Sequence, residues 1–214
     1  MNKMKRIISL IMMLCCLVAV SAQDLKGLFI TMPDSVAPLL TQVNKADCVD
    51  FLAAKMEAKV KNKLGKVSQL DTLTADYLHL TMTKSSVLEM KLLPVNDSTQ
   101  IVCLVKTVKA PVSDSEIAFF DTQWNPLEGE DFLIRPSAEP FFLPADSLSQ
   151  KEKQVLALAD LHLLYAKLSA EKRTLTFTYN TPQYLNKEDR ERLEKVLTRK
   201  PLEYIWENGR FILK

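Results

Sequence analysis

Histidine and glycine are scarce in this chain of 214 residues. It contains two histidines, His79 and His162, and four glycines. Neither histidine has another His or a Cys at the spacing of a metal-binding motif, and the sequence has no Gly-x-Ser-x-Gly elbow and no Gly-rich phosphate loop. We therefore expect no metal site and no cofactor, and we find no signature of a serine hydrolase.

The first 22 residues have the composition of a secretory signal peptide. Basic residues at the start precede an apolar run over residues 7–20, and Val20-Ser21-Ala22 forms a small-residue cleavage site. The run is shorter than the about 20 apolar residues that a membrane span requires. We therefore interpret residues 1–22 as a signal peptide and expect no integral membrane span in the mature chain.

Two cysteines inside the apolar run, Cys15 and Cys16, raise the alternative of a lipoprotein. The residues before them are Leu14 and Cys15, where lipidation needs small residues, and the apolar run continues past both. We therefore expect cleavage near Ala22 and an exported protein, periplasmic or secreted, without a lipid anchor.

Removal of the signal peptide leaves an almost neutral protein. The 28 basic residues fall to 25 with the loss of Lys3, Lys5 and Arg6, while all 26 acidic residues remain, so the net charge changes from +2 to −1. The content of 25% charged and 47% hydrophobic residues is that of a folded globular protein. A near-neutral chain is not attracted in bulk to nucleic acid or to an anionic membrane, so we expect neither as a partner.

Two cysteines remain in the mature chain, Cys48 and Cys103. A disulfide between them would stabilise the fold by about 4 kcal/mol in the chain-entropy model. Two buried free thiols are equally compatible with the sequence, since free cysteine is among the most buried residue types. Both alternatives stay open at this point.

The first half of the mature chain predicts one long helix followed by an antiparallel sheet. A short extended segment at 28–30 comes first, and apolar residues then recur with helical spacing from Ala46 to Leu64, where Gly65 supplies a stop. Strands are predicted at residues 78–82, 88–92, 101–105 and 117–120. The strand at 101–105 is apolar on both faces and should be central in the sheet.

The second half predicts two helices and two hairpins. The helices are predicted at 149–159 and 186–200, and the strands at 161–168, 174–179, 202–206 and 211–213. Leu175, Phe177 and Tyr179 alternate with threonines and should face the core. Asn186 and Asp189 form a capping pair at the start of the second helix.

These elements make an α+β fold in which helices pack on antiparallel sheets. A proline-rich stretch, residues 136–148, divides the chain into a first module at 23–135 and a second at 149–214, and it reads as a linker or a packed crossover. The segments Asp76–Leu80 and Asp160–Leu163 echo one another at the start of their hairpins. The echo favours two tandem, degenerate helix-plus-meander modules.

Aromatic residues are concentrated where the two modules join. The candidates for ligand or partner binding are Trp124, Phe132, Phe141 and Phe142. Core packing accounts for most aromatic residues, but an aromatic-rimmed cleft between modules is also where a binding site is expected. Both interpretations stay open here.

Three acidic residues, Glu128, Glu130 and Asp131, lie close to Trp124 in the sequence. Paired carboxylates perform the acid and base steps of a glycosidase, and an aromatic ring beside them can stack on a sugar. A solvated acidic turn is the simpler interpretation, and we favour it. The hydrolase remains the alternative.

Six segments, spread over nearly the whole mature chain, carry a family resemblance. They are Met32-Pro33-Asp34-Ser35, Asn62-Lys63-Leu64-Gly65, Leu88-Glu89-Met90-Lys91-Leu92-Leu93-Pro94, Asp121-Thr122-Gln123-Trp124-Asn125-Pro126-Leu127, Thr181-Pro182-Gln183-Tyr184-Leu185 and Pro201-Leu202-Glu203-Tyr204-Ile205-Trp206. Together they resemble an uncharacterised exported family of Bacteroidales. The resemblance implies a periplasmic or secreted location, and it carries no activity and no catalytic residue to this chain.

The sequence therefore predicts an exported, non-enzymatic binding or cell-envelope accessory protein. Its partner would be a protein or a glycan of the envelope. This function is favoured because a recognition protein needs only a shaped surface, and no catalytic motif is found. The alternative is a small periplasmic hydrolase, similar to a glycosidase, that uses the carboxylates near Trp124.

We predict that the protein isolated from its own host begins at Gln23. Signal peptidase recognises small residues such as those that end at Ala22, so intact-mass analysis should find residues 1–22 removed. A mass that retains these residues, or a lipid on Cys15 or Cys16, would contradict this prediction.

Overall fold

The computed structural model describes residues 24–214, and the predicted signal peptide lies outside the described residues. The helices are α1 (Leu25–Thr31), α2 (Gln42–Ala53), α3 (Gly129–Phe132), α4 (Gln150–Val155), α5 (Thr181–Tyr184) and α6 (Lys187–Glu194). The strands are β1 (Ala58–Lys61), β2 (Val67–Leu73), β3 (Tyr77–Thr83), β4 (Ser86–Pro94), β5 (Gln100–Val108), β6 (Asp114–Phe120), β7 (Pro126–Leu127), β8 (Leu164–Leu168), β9 (Thr174–Tyr179), β10 (Leu202–Glu207) and β11 (Arg210–Leu213). None of the helices in residues 24–214 has the length and apolar composition that a membrane crossing requires.

The strands form two antiparallel sheets. Strands β1 to β7 pair in sequence order as a seven-stranded meander, and the second sheet has the order β11-β10-β9-β8. Both hairpins predicted for the second half are present, as β8 with β9 and as β10 with β11. The α+β class with antiparallel sheets is therefore confirmed.

Two hydrophobic cores lie on opposite faces of the seven-stranded sheet. The helix-side core packs α1 and α2 against one face, which includes Val102 and Leu104. The intersheet core joins the other face, which includes Ile101, Cys103 and Val105, to the four-stranded sheet. Burial on both faces explains why this part of β5 is apolar throughout, and it confirms β5 as an interior strand.

The two cysteines lie in different cores. Cys48, in α2, belongs to the helix-side core and Cys103 belongs to the intersheet core, so the sheet lies between them. Both are buried free thiols, and the disulfide that the sequence left open is not formed. Burial raises the pKa of the Cys48 thiol to about 11 and also raises the pKa of Cys103, so neither thiol is a reactive thiolate at neutral pH.

The single helix predicted over residues 46–64 is wrong. Helix α2 ends at Ala53, and Lys55 then adopts a left-handed conformation with φ 58°. The next residues form β1, in which Ala58 and Val60 are buried and their neighbours are exposed. The apolar residues of β1 continue the helical spacing of α2 by coincidence, which concealed the two-residue period of the strand.

Two smaller predictions of the first half are also corrected. Gly65 has the left-handed φ of 71° that a helix stop would need, but it lies in the turn of the β1–β2 hairpin. The segment predicted as extended at 28–30 belongs to α1, which begins after Asp24. The Asp24 side chain accepts a hydrogen bond from Gly27 N at 2.8 Å and so caps this helix.

The helices of the second half are shorter than predicted. Helix α4 passes into a 3₁₀ turn, Leu156–Leu158, within the predicted range 149–159, and α6 covers only the first half of the predicted range 186–200. The predicted cap is confirmed, since the Asn186 side chain accepts a hydrogen bond from Asp189 N at 3.0 Å.

The proline-rich stretch 136–148 is packed against the rest of the protein. Phe141 is buried in the intersheet core, and Leu143 N donates to Val196 O at 2.8 Å. Both sheets contribute to that one core, and they differ in strand number. The module boundaries at 135 and 149 and the internal duplication therefore stay predictions.

The outer edge of β8 is held by side chains of the seven-stranded sheet. Strand β8 is the last strand of its sheet, so alternate backbone groups, at Leu164, Ala166 and Leu168, have no partner in β9. Leu164 N donates to Asp114 Oδ1 at 2.9 Å and Ala166 N donates to Ser115 Oγ at 2.9 Å. Side chains of β6 thus replace a neighbouring strand.

Glu89 of β4 extends the same arrangement. Its carboxylate is buried and accepts a hydrogen bond from Tyr77 Oη at 2.7 Å, and the Leu168 backbone lies near enough to lower the Glu89 pKa. Desolvation raises the pKa of Glu89 above its ordinary value, while the Tyr77 hydroxyl and the nearby His79 oppose that shift.

Lys91 donates a hydrogen bond to the backbone just after the end of β8. Its side chain is 1% exposed, and Nζ donates to Ala170 O at 3.0 Å and lies 3.0 Å from Asp76 Oδ2. A buried charge without partners would destabilise the fold, so these contacts are what permits a lysine at this depth. Polar side chains therefore hold the outer edge of β8 at Leu164 and Ala166 and the segment that follows it at Ala170.

Replacing Glu89 by Gln should remove a pH dependence of stability. A carboxyl whose pKa is raised by folding holds its proton more tightly in the folded state, so its contribution to the free energy of unfolding falls as the pH rises through the folded pKa. We expect the free energy of unfolding of the wild type minus that of Glu89→Gln, from urea denaturation, to be larger at about pH 4.5 than at about pH 7.

The exposed Glu116 of β6 offers a control for the loss of one carboxylate, as Glu116→Gln. A wild-type-minus-Glu89→Gln difference that stays constant with pH, or that grows as the pH rises, would contradict the assignment.

Candidate functional site

The four aromatic candidates do not form one cluster. Trp124 lies in the helix-side core, with its ring centroid 5.5 Å from that of Phe120. Phe132 packs against the intersheet core and stacks on Trp206, with centroids 6.2 Å apart. The seven-stranded sheet separates Trp124 from Phe132, so the predicted cleft does not contain all four residues.

Phe141 and Phe142 do come together, at Tyr179. The rings of Phe141 and Tyr179 are stacked with centroids 5.4 Å apart, and Phe142 meets the Tyr179 ring edge-on at 5.6 Å. Tyr179 is the last residue of β9, so these contacts hold the proline-rich stretch 136–148, called the crossover below, against the end of that strand.

A groove of ≈ 280 Å³ opens beside the Phe141 and Tyr179 rings. Its remaining apolar lining consists of Pro182, Leu197 and Pro201. These residues come from the crossover, the end of β9, α5 and the segment between α6 and β10, which are distant in sequence. We call this cavity the Tyr179 groove.

The polar residues of the Tyr179 groove are Thr178, Gln183, Glu194, Arg199 and Lys200. Arg199 and Lys200 carry two positive charges and Glu194 carries one negative charge, so the lining has an excess of one positive charge. Arg199 Nη2 lies 3.7 Å from Glu194 Oε2. Lys200 makes no ion pair within residues 24–214, so its ammonium group is free to meet an anion.

Hydrogen bonds to neighbouring segments hold helix α5, which forms one wall of the groove. The Arg190 guanidinium of α6 donates hydrogen bonds to the carbonyl oxygens of Pro182 at 3.0 Å, Gln183 at 3.1 Å and Leu185 at 3.3 Å. Thr181 Oγ1 donates to Leu161 O at 2.6 Å. A short helix with so many tertiary contacts gives the groove a fixed shape.

Tyr179 lines this groove, but its hydroxyl oxygen is buried. The residue is 9% exposed, and the buried Oη has no hydrogen-bond partner within residues 24–214. Burial is the larger effect and raises the Tyr179 pKa, so the hydroxyl stays protonated. The nearby Thr181 hydroxyl opposes that effect and lowers the Tyr179 pKa; it donates to Leu161 O and accepts from Leu163 N, which leaves it able to accept a further hydrogen bond.

The candidate acid and base residues are exposed around α3. Glu128, Glu130 and Asp131 all lie at the surface, and among them only Glu130 lines a second cavity, of ≈ 630 Å³. Arg135, which also lines that cavity, donates to Ser115 O at 2.9 Å. Trp124 lies in the helix-side core, so it does not join these carboxylates at one cavity.

The histidines lie outside both cavities. His79 Nδ1 is 3.0 Å from Asp71 Oδ2, and the same carboxylate oxygen accepts a hydrogen bond from Thr81 Oγ1 at 2.7 Å. His162 is exposed. Within the part of the chain that the structure describes, no three His, Cys, Asp or Glu side chains are grouped as metal ligands.

Of the ten residues that line the groove, sequence reasoning named only Phe141 as a site candidate, and the nine that it missed include Tyr179, Arg199 and Lys200. It placed Tyr179 in the core, which is correct for the ring but ignores the hydroxyl. It placed Arg199 and Lys200 at the end of a helix, whereas the chain has left α6 and Arg199 adopts a left-handed φ of 57°. Pro201 was the available signal that an ordinary helix does not continue here.

Comparisons with known proteins agree with the fold described above. No curated protein matches this chain. The chain is similar to the structure of a domain of an uncharacterized protein from Porphyromonas gingivalis W83, with 29% sequence identity and a TM-score of 0.80 over 90% of this chain and 100% of that chain. A family model described as "Protein of unknown function (DUF3256)" matches residues 17–211. The chain therefore belongs to the DUF3256 family of proteins of unknown function.

Proposed function

We propose that the protein is an exported, non-enzymatic binding protein of the cell envelope and that the Tyr179 groove is its ligand site. The signal-peptide pattern of residues 1–22 supports export to the periplasm or the cell exterior. The similarity to a Porphyromonas protein is in keeping with an origin in the Bacteroidales.

The Tyr179 groove itself is the observation that carries this proposal. Its lining comes from segments that are distant in sequence, and hydrogen bonds from Arg190 and the ring contact of Phe141 with Tyr179 hold those segments in place. Recesses that combine an apolar lining with a few polar groups are where small ligands bind. A preformed recess of this kind supports a binding function.

The polar groups of the groove suit binding better than catalysis. Its only carboxylate, Glu194, has Oε2 3.7 Å from Arg199 Nη2. General acid–base catalysis by paired carboxylates needs a second acidic group, which the groove lining does not contain. The groove is equipped to hold a molecule and not to cleave it.

The four aromatic candidates then divide into two roles. We assign Phe141 and Phe142 to the site, as residues that position Tyr179 through ring contacts. Trp124 and Phe132 contribute to the two cores, where large apolar rings supply hydrophobic stabilisation.

Blocking the groove should abolish binding without unfolding the protein. Thr178 lies on the exposed face of β9 and lines the groove, so Thr178→Trp places a large ring across its opening. We expect the mature wild-type chain to bind isolated envelope fractions of its own host, and the variant to lose at least about 90% of that binding at equal protein concentration. The measurement is quantitative co-sedimentation, with thermal unfolding of each variant.

Thr176→Trp is the matched control, because Thr176 has the same side chain on the same face of β9 but does not line the groove. It should bind as the wild type does. The proposal fails if the wild type binds no fraction, if both variants bind equally, or if the wild type releases products from a bound glycan, which would make it an enzyme.

A further inference from the structure

We infer that one end of the seven-stranded sheet docks on a bilayer surface that contains anionic phospholipids. That end carries exposed lysines and exposed apolar side chains at the turns of three hairpins. The inference goes beyond the proposed function and does not use the Tyr179 groove.

The meander separates charges between the two ends of the sheet. Consecutive strands run in opposite directions, so alternate turns lie at the same end. Three turns lie at one end, at residues 62–66, 84–85 and 109–113. The other three lie at the opposite end, at residues 74–76, 95–99 and 121–125. The first set contains four lysines and no acidic residue, and the second contains three aspartates and no basic residue.

We call the end with turns 62–66, 84–85 and 109–113 the lysine end. Its exposed lysines, counted with the last residue of β1, are Lys61, Lys63, Lys66, Lys84 and Lys109. Lys63 Nζ lies 2.6 Å from Asp34 Oδ2, and the other four make no ion pair within residues 24–214. The near-neutral net charge argues against attraction in bulk, but the uneven distribution creates a positive potential at this end.

Hydrogen bonds join the three turns of the lysine end. Lys109 N donates to Ser85 O at 2.8 Å, so the second and third turns are adjacent. Asn62 Nδ2 donates to Met82 O at 3.3 Å, which links the first turn to the strand that leads into the second. Asn62 Oδ1 accepts from Leu64 N at 3.0 Å, so this buried side chain also fixes the shape of the first turn. The lysines are therefore presented on one ordered surface.

Exposed apolar side chains lie among these lysines. Leu64, in the first turn, is 64% exposed, Val67 at the start of β2 is 59% exposed, and Val108 at the end of β5 is 55% exposed. Val67 is the cross-strand partner of Lys61, so the two side chains lie on the same face of the hairpin.

This combination favours a bilayer over a soluble polyanion. A nucleic acid offers phosphates to the lysines but gives no apolar environment to Leu64, Val67 and Val108. A bilayer can take such side chains below its headgroups while the lysine ammonium groups stay among the lipid phosphates. We therefore assign the lysine end to a phospholipid surface of net negative charge.

The test is co-sedimentation of the mature chain with lipid vesicles in about 50 mM NaCl. One preparation contains phosphatidylcholine and phosphatidylglycerol at a ratio of about 7:3, and the other contains phosphatidylcholine alone. We expect the anionic vesicles to bind at least about tenfold more tightly, because each lysine near the surface adds to the attraction. About 300 mM NaCl should weaken that binding at least about tenfold by screening.

Removal of the four unpaired lysines should weaken binding to the anionic vesicles at least about tenfold. The variant carries Lys61→Gln, Lys66→Gln, Lys84→Gln and Lys109→Gln. A control with the same net charge replaces four exposed lysines elsewhere, Lys151→Gln, Lys153→Gln, Lys187→Gln and Lys195→Gln. The control should lose less than about threefold, since screening limits the influence of distant charges. Thermal unfolding of each variant checks the fold.

A second pair of variants tests the apolar contribution. Leu64→Ser with Val67→Thr should weaken binding to the anionic vesicles at least about threefold, because less apolar surface enters the bilayer. Ile212→Thr with Leu213→Ser is the matched control, at exposed apolar positions in β11 of the other sheet. It should bind as the wild type does.

Three outcomes would overturn the inference. The first is equal binding to both vesicle preparations, and the second is an equal loss in the two lysine variants. The third is wild-type binding by the Leu64 and Val67 variant together with equally tight binding of a short DNA duplex, which would make the lysine end a general polyanion surface. Because salt suppresses attachment through the lysine end, the envelope assay of the Tyr179 groove is run in about 300 mM NaCl, and the two proposals can fail separately.

Discussion

The architecture of this protein depends on the outer edge of β8. An edge strand exposes backbone N–H and C=O groups that must find partners when they are buried. Here Asp114 and Ser115 accept hydrogen bonds from the amides of Leu164 and Ala166, and Lys91 donates to the carbonyl of Ala170, just after the strand. The four-stranded sheet is therefore joined to the seven-stranded meander by side chains as well as by apolar contact.

This junction also supports the candidate site. Strand β9, which carries Thr178 and Tyr179, pairs directly with β8, so the position of the groove follows from where β8 is held. The crossover reaches the same place from the other side, since Phe141 stacks on Tyr179 and Thr198 N donates to Phe141 O at 2.9 Å. A fixed groove reduces the ordering that a ligand must impose on binding. The stability of the sheet junction and the shape of the groove are thus linked.

Local patterns predicted β3 to β6 and β8 to β11, and an alternation of apolar and polar residues is clear in β3, β9 and β10. They did not predict β1, β2 or β7. They failed where two periods overlapped, as at Val60, which continues the helical spacing of α2 although it lies in a strand. Glu89 and Lys91 alternate with Leu88, Met90 and Leu92, a pattern typical of a strand with one solvent-exposed face. The segment around β8, nearly eighty residues later in the chain, covers that face and buries both residues. The groove was missed for the same reason: Tyr179 looked like a core residue, and contacts between residues 141–143 and 196–198 have no local signature.

Hydrogen exchange at the amides of Leu164 and Ala166 tests the central claim most directly. If Asp114 and Ser115 replace a neighbouring strand, both amides should exchange only through the large unfolding that also exposes the amides within β9, with rates that agree to about tenfold. Ser115→Ala should then speed exchange at Ala166 far more than at β9. Exchange of Leu164 and Ala166 in the wild type at the rate of a solvent-exposed edge, at least about a thousandfold faster than β9, would contradict the account.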